Sequence, residues 1–290
     1  MKKYFIGSVA ERQFRPLSEP GNGSVGVRRM SLVDHATAPA CVHTGLQLDE
    51  IAPGGLLAAS MHAYEKAFYV LEGEFTYELE GRSYRLEKDH YGLIRKATPY
   101  AMRNTGAAAV RLLTISAPQP KPANADFVDT YFPAARLGQP EAVVPDLNDP
   151  RIRYLGKFHE SRISNAVAIS GTGVRSSSIS GISITEFIDR LSGAQFLAMF
   201  MVQFSPGGCG SSHDHPHEET YFFLSGKAEG EFDGERHIIA AGQYVWTGVG
   251  CFHSFRTLGD EPVRWIETQA PLPADFEAFR FRREWELLGR

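Results

Sequence analysis

The chain has 290 residues, a formal net charge of −4 and a hydrophobic fraction of 43%, which is typical of a globular protein and argues against general disorder. The mildly acidic balance argues against binding to nucleic acid or to an anionic membrane. Three cysteines are too few for a disulfide framework. The apolar stretch after Lys3 is too short and too soon charged for a signal peptide, and the longest apolar stretch, Phe196–Val202, is far shorter than a membrane span. We therefore expect a cytoplasmic protein.

A long internal repeat divides the chain. Residues 53–118 match residues 206–271 without a gap, at a constant offset of 153 (206 − 53 = 153). The identical positions include Gly54/Gly207, Gly73/Gly226, Gly81/Gly234, Tyr91/Tyr244, Arg103/Arg256 and Pro118/Pro271. Because one register persists through so many glycines and prolines, we interpret the chain as a tandem duplication. The sequence predicts two domains, residues 1–150 and residues 151–290.

Each copy of the repeat has the pattern of short strands separated by turns. The predicted strands of the first copy are Ala67–Leu71, Phe75–Leu79, Tyr84–Leu86 and Val110–Ile115. Those of the second copy are Thr220–Leu224, Glu229–Phe232, His237–Ile239 and Val263–Thr268. Glycine turns between such runs indicate an all-β sandwich or barrel. Helical periodicity is confined to Ile184–Leu191 and Asp275–Leu288, and we predict short helices in the connector and in the C-terminal tail.

Histidines are concentrated in the second copy. The run from His213 to Glu219 reads HDHPHEE, and His253 follows 34 residues after Glu219 (253 − 219 = 34). Residues two apart on a strand share a face, so His213 and His215 are expected to point the same way. Three imidazoles and one carboxylate facing one interior suit a divalent first-row transition metal such as Fe, Mn, Ni, Co or Zn. One carboxylate leaves coordination positions open for water, oxygen or substrate.

This pattern resembles the cupin superfamily, and its duplication resembles a bicupin. The first family motif, G-x5-HxH-x3-E-x6-G, is matched at every spacing by Gly207, His213, His215, Glu219 and Gly226. The second motif is matched by Gly242, Gly250 and His253, with Gly248 in place of the usual proline and Thr257 in place of the usual asparagine. The resemblance implies an all-β fold of two tandem jelly-roll barrels, with metal ligation by His213, His215, Glu219 and His253. It also implies a homodimer or a higher homo-oligomer.

The first copy lacks most of this ligand set. In the same register, its four positions are Ser60, His62, Lys66 and Tyr100, so one histidine remains and an ammonium group replaces the carboxylate. Because an ammonium group repels a divalent cation, we predict one metal per chain and none in the first barrel. Two interpretations of these four residues stay open: a filled, purely structural cavity, or a pocket in which Lys66, His62 and Tyr100 hold an anionic ligand.

Two residues near the predicted ligands have roles that the sequence leaves open. Tyr221 lies two positions after Glu219 and so shares its strand face. Its hydroxyl could donate a hydrogen bond to a substrate or to the carboxylate, or the ring could simply pack in the barrel wall. His217 lies outside the motif and is predicted to be a rim residue or a hydrogen-bond donor to a ligand.

The resemblance favours an enzyme with one active barrel. Our leading hypothesis is a dioxygenase, similar to quercetin dioxygenases, with Fe or Mn, a small aromatic or enol substrate, and Glu219 as ligand and proton acceptor. The expected substrate wall is aromatic and apolar: Phe200, Met201, Phe222, Phe223, Trp246 and Phe255, in whichever half faces inward. The loss of the first ligand set weighs against an oxalate decarboxylase. Two alternatives stay open: a redox-neutral hydrolase, isomerase or decarboxylase, and a non-catalytic protein that binds metal or a small molecule.

Overall fold

The computed structural model describes residues 2–17, 22–121, 128–133, 141–163, 179–272 and 280–281. In the first half the strands are β1 (Tyr4–Ser8), β2 (Arg15–Pro16), β3 (Val25–Val33), β4 (Gly45–His62), β5 (Glu65–Glu72), β6 (Glu74–Leu79), β7 (Arg82–Glu87), β8 (His90–Ile94), β9 (Tyr100–Arg103), β10 (Val110–Ala117) and β11 (Thr130–Tyr131). In the second half they are β12 (Leu155–Lys157), β13 (Ile179–Ile188), β14 (Ala198–Gly210), β15 (His213–Asp214), β16 (Glu218–Ser225), β17 (Lys227–Phe232), β18 (Glu235–Ala240), β19 (Gln243–Thr247), β20 (His253–Thr257), β21 (Val263–Ala270) and β22 (Arg280–Phe281).

These strands form two curled sheets of eleven strands each, so the predicted all-β fold of two tandem barrels is confirmed. The central strand order of the first sheet is β8-β5-β10-β4-β9. The second sheet has the equivalent order β19-β16-β21-β14-β20. Because each of these five strands corresponds to the strand 153 residues away in the other sheet, the duplication seen in the sequence is also a duplication of topology.

Each sheet also includes one strand from the other half of the chain. β1 pairs with β19 in the second sheet, and β12 pairs with β8 in the first. The two contacts are alike in detail, because Gly7 lies under the ring of Tyr244 and Gly156 lies under the ring of Tyr91, where a Cβ would clash with the ring. Sheet membership therefore crosses the proposed boundary at residue 150, and the division into 1–150 and 151–290 stays a prediction.

Alternation along the strands separates the predicted aromatic wall into two groups. Phe200, Phe223 and Phe255 are buried in the cluster that fills the interior of the second barrel. Met201, Phe222 and Trp246 belong instead to the cluster shared with the first half of the chain. Successive residues of a strand point to opposite faces, so only half of the six residues can reach the site.

Helices are few in the described part of the chain. Three 3-10 helices are present, Val9–Glu11, Pro150–Ile152 and Glu160–Arg162, and the last two supply the short helices expected in the connector. The helix predicted over Ile184–Leu191 is wrong, because β13 continues to Ile188 and hydrogen-bonds along β14. The tail Asp275–Leu288 lies mostly outside the described residues, and its described part, Arg280–Phe281, is a strand. No helix found in the described ranges could span a membrane.

Candidate metal centre

The four predicted ligands lie together in the interior of the second barrel. His213 on β15 pairs directly with His253 on β20, and their ring centroids are 4.4 Å apart. The ring of His215 is 5.0 Å from that of His253. Nitrogen atoms of these three residues lie within 4.8 Å of one another, and a second such group joins His215 to His217 and Glu219. Glu219 Oε2 is 2.7 Å from His215 Nε2 and 3.2 Å from His253 Nε2.

Backbone carbonyl groups orient the three imidazole rings. The Nδ1 atoms of His213, His215 and His253 lie 2.9, 2.9 and 3.0 Å from the carbonyl oxygens of Ser211, His217 and Cys251. A carbonyl oxygen can only accept a hydrogen bond, so each Nδ1 carries the proton. The neutral form of each ring then presents the Nε2 lone pair, which is the arrangement that a histidine ligand needs.

This orientation provides a test of whether the site fits a metal. With the protons on Nδ1, the Nε2 lone pairs of His215 and His253 face Glu219 Oε2. Two acceptors at these distances repel each other unless a cation lies between them. An added proton or a metal ion can supply that cation, and imidazole nitrogen with carboxylate oxygen is a donor set for divalent first-row metals. The residues present therefore fit such an ion.

The charge states of two ligands agree with this fit. Burial, and then the electrostatic effect of the nearby His253 ring, lower the pKa of His213 to about 3, so its ring is neutral near neutral pH. Burial alone would raise the pKa of Glu219, but the adjacent His215 and the hydrogen bonds around the carboxylate outweigh burial and hold that pKa well below its usual range. Neutral histidine and ionised glutamate are the forms that bind metal.

Three further side chains hold the Glu219 carboxylate. The Tyr221 hydroxyl donates to Oε2, which is the second of the roles left open by the sequence. Gln269 Nε2 donates to Oε1 at 2.9 Å. His217 Nε2 lies 3.4 Å from the same Oε1, and its ring stacks on His215 at 3.8 Å. His217 is 1% exposed, so the interpretation as a rim residue is wrong and the alternative, a hydrogen-bond donor to a ligand, fits.

Two functional candidates on β21, Gln269 and Glu267, were not predicted from the sequence. Glu267 accepts a hydrogen bond of 2.9 Å from Trp265 Nε1. Burial, and then the charge of Glu219, raise the pKa of Glu267 well above its usual range, so this carboxyl group keeps its proton. A signal was present in the repeat, because the equivalent positions in the first copy are the small residues Thr114 and Ser116 (267 − 153 = 114; 269 − 153 = 116).

The first barrel contains a different arrangement at the equivalent positions. Tyr100 Oη lies 2.9 Å from His62 Nε2 and accepts a hydrogen bond of 3.3 Å from Lys66 Nζ. Ser60 pairs with Tyr100 across the strands, and all four residues are buried. Burial, and then the charge of Lys66, lower the pKa of His62 well below its usual range. These groups satisfy one another, as expected for a filled, structural cavity, and the described part of this barrel contains no group of three metal-ligating side chains.

Comparisons with known proteins agree with this architecture. The family model described as "Cupin domain" matches residues 47–116 and 200–268. The chain is also similar to a polyketide synthase protein, CurC of Streptomyces cyaneus, with 34% identity over 68 residues, which is 23% of this chain and 44% of that protein. The match thus spans less than half of the curated relative.

Solved structures match over nearly the whole chain. An oxalate decarboxylase from Lactobacillus farciminis, in a formate complex, has a TM-score of 0.68 and 16% identity, covering 99% of this chain and 90% of its own. A glyoxylate-induced protein from Pseudomonas aeruginosa, described as putative, has a TM-score of 0.65 and 17% identity, covering 94% and 91%. A single-substitution variant of an oxalate decarboxylase from Bacillus subtilis has a TM-score of 0.65 and 14% identity, covering 97% and 80%.

At these identities the solved structures establish the fold and leave the reaction open. The family model matches both copies of the repeat, and each copy has its own curled sheet with the same strand order. The chain is therefore a member of the cupin superfamily, built as a bicupin.

Proposed function

We propose that the protein is a metal-dependent enzyme whose reaction takes place in the second barrel. One divalent transition metal would be held there by His213, His215, Glu219 and His253, with Fe or Mn favoured. The observation that carries this proposal is the fixed orientation of the three imidazoles, whose Nε2 lone pairs converge near an ionised carboxylate. Such an arrangement is costly in the absence of a cation, so it favours a dedicated metal site over a chance cluster.

The chemistry of the interior favours a small aromatic or enol substrate. Phe200, Phe223 and Phe255 line the inner face, and Trp265 packs against Phe255 at 5.1 Å. Within residues 179–272, no lysine or arginine is among the buried side chains, and the Glu219 carboxylate lies in the interior. A dianionic substrate would meet this carboxylate with only the metal to offset the repulsion. A neutral ring or enol would bury its apolar surface and reach the metal through one oxygen.

These properties support a dioxygenase as the leading reaction. The bound metal would polarise the substrate oxygen and carry electrons between substrate and dioxygen. Glu219 would accept the proton that an enol or phenol hydroxyl loses on binding. Tyr221 and Gln269 orient its two oxygens, so the carboxylate keeps one geometry while the proton moves.

A redox-neutral reaction is the second candidate, and Glu267 favours it. A decarboxylase or isomerase must deliver a proton to carbon, and the Glu267 carboxyl group is a second buried acid inside the same barrel. Several structures of similar fold are oxalate decarboxylases, which makes decarboxylation a reaction to test. The absence of the ligand set from the first barrel, and the lack of a buried lysine or arginine within residues 179–272, both argue against oxalate itself as the substrate.

The experiment that separates these candidates is an oxygen-uptake assay on metal-reconstituted protein. Phenols, enols and diketones would be supplied in turn, with the metal-free protein as the control. A dioxygenase consumes oxygen with one of these substrates and stops under anaerobic conditions. Product formation that persists without oxygen would support the redox-neutral reaction instead. Metal binding without turnover of any substrate would support the third function, a non-catalytic binding protein.

Tyr221→Phe tests the role of the hydroxyl group beside Glu219. We expect the variant to bind metal at the same stoichiometry and to lose about 10- to 100-fold in kcat, because the carboxylate loses the donor that orients it. The matched control is Tyr244→Phe, whose hydroxyl bonds Arg12 on the outer side of the barrel at 3.0 Å. Equal kcat values for the two variants would refute the role assigned to Tyr221.

A further inference from the structure

Two buried glutamates join the two halves of the chain through the same contact, made once in each direction. Glu65 on β5 accepts hydrogen bonds from the backbone amides of Gln195 and Phe196, at 2.9 and 2.8 Å. Glu218 on β16 accepts them from the backbone amides of Val42 and His43, at 2.9 and 3.1 Å. All three pairs of equivalent positions differ by 153 residues. The halves therefore meet as in a two-fold symmetric dimer, in which each half contributes one glutamate and one segment of backbone amides to the interface.

The contact at Glu218 is especially rich in donors. Besides two backbone amides, its carboxylate accepts from the Thr44 amide at 3.3 Å, from Trp246 Nε1 at 3.1 Å and from Cys41 Sγ at 3.0 Å. Burial, and then the charge of Glu218, raise the pKa of the Cys41 thiol, so the sulfur keeps its proton and donates. With the Thr44 hydroxyl at 3.4 Å, six donors surround this buried carboxylate and fix its position strongly, because releasing it would leave buried N–H groups without an acceptor.

Glu218 is the immediate neighbour of a predicted metal ligand. Glu218 points to the side where Phe222 and Trp246 pack against the first half, while Glu219 points into the barrel with Tyr221. A rigid peptide plane joins the two residues, so a shift of the backbone at Glu218 also moves the backbone at Glu219. Metal sites lose affinity when a ligand is displaced by about 0.5 Å. Residues 41–44 of the first half thus hold β16, the strand that carries Glu219, on the face opposite the metal site.

We propose that Glu218 is a positioning residue that couples the docking of the two halves to metal binding in the second barrel. The proposal rests on the metal site of the proposed function. The first barrel then has a role beyond packing, because its entry segment, residues 41–44, holds one ligand of the other barrel in register. The equivalent contact at Glu65 has no such consequence, because its neighbour is Lys66 in the site without the ligand set.

The pair Glu218→Gln and Glu65→Gln in the full-length chain provides a matched test. Each variant keeps the size of the side chain and presents an amide group to backbone donors of the same interface. We expect both variants, free of metal, to lose thermal stability, and Glu218→Gln to lose more, because the Glu218 carboxylate accepts hydrogen bonds from more donors. Only Glu218→Gln should raise the Kd for Co²⁺, by about tenfold in competition with a chelator. Its Co²⁺ absorption bands should also change, while those of Glu65→Gln stay as in the wild type.

The outcomes separate the coupling from the metal site itself. A wild-type protein that binds no Co²⁺ would refute the proposed function. If the wild type binds Co²⁺ and neither variant changes the Kd, only the coupling is refuted. An equal loss of affinity in both variants would also refute the coupling. If Glu218→Gln fails to fold, Trp246→Phe removes one donor from Glu218 and keeps an aromatic ring in place. An unchanged Kd in Trp246→Phe would then overturn the proposal, and a rise of about threefold would support it.

Discussion

Replacing His215 by alanine is expected to abolish turnover in the metal-reconstituted protein, with a loss of at least about 10³-fold in kcat/KM. Removal of this ring takes away one predicted ligand and leaves Glu219 Oε2 without the imidazole 2.7 Å away. The remaining ligands would hold the ion more weakly and in an altered geometry. Turnover is measured with whichever substrate the oxygen-uptake assay identifies, at a fixed total metal concentration.

The duplication supplies the control for this variant. His62 occupies the position equivalent to His215 (215 − 153 = 62) and is also buried in its barrel. His62→Ala should lose stability, because it removes hydrogen bonds to Tyr100 and Thr130, yet it should keep turnover within about threefold of the wild type. Comparable losses of turnover in the two variants would contradict the assignment of all chemistry to the second barrel.

The second large effect concerns stability. Metal that binds only the folded second barrel should raise its free energy of unfolding by about 2.7 kcal/mol when the free metal concentration is 100 times Kd. Tryptophan fluorescence during urea unfolding reports this barrel. Trp265 is buried in its interior, and Trp246 is buried on one of its strands where it packs against the first half. Protein from which a chelator has removed the metal should unfold at a lower urea concentration than the metal-reconstituted protein.

His215→Ala again gives the decisive comparison for this effect. Its fluorescence transition should show little response to added metal, because the site no longer binds the ion tightly. The Lys66→Met variant, altered only in the first barrel, should keep the full response of the wild type. A metal-induced shift that survives in His215→Ala, or one that disappears in Lys66→Met, would contradict the proposed location of the ion.

The sequence could bring the predicted ligands into one cluster because their positions depend largely on local spacing. His213, His215 and Glu219 lie on or beside β15 and β16, which are consecutive in the sequence, and strand alternation is enough to place His213 and His215 on one face. The repeat also shows that the histidine and glutamate positions of the motif are complete in the second copy alone. The direction of the wall residues could not be derived in advance, since a shift of one residue exchanges inward and outward positions.

Other features depend on contacts between distant segments, which a single sequence does not reveal. Glu267 becomes part of the site because β21 lies beside β16, where it pairs with Tyr221. Glu218 meets the backbone amides of residues 42–44 across more than half of the chain. The helix predicted over Ile184–Leu191 failed for a related reason, because pairing with β14 outweighed a weak local preference.

The metal content of the full-length protein, purified without added metal and then reconstituted, tests the central claim most directly. Elemental analysis should find close to one equivalent of a divalent transition metal per chain in the wild type and in Lys66→Met. The same analysis should find far less than one equivalent in His215→Ala after equal washing. Two equivalents per chain, or full retention of metal in His215→Ala, would contradict a single site built from His213, His215, Glu219 and His253.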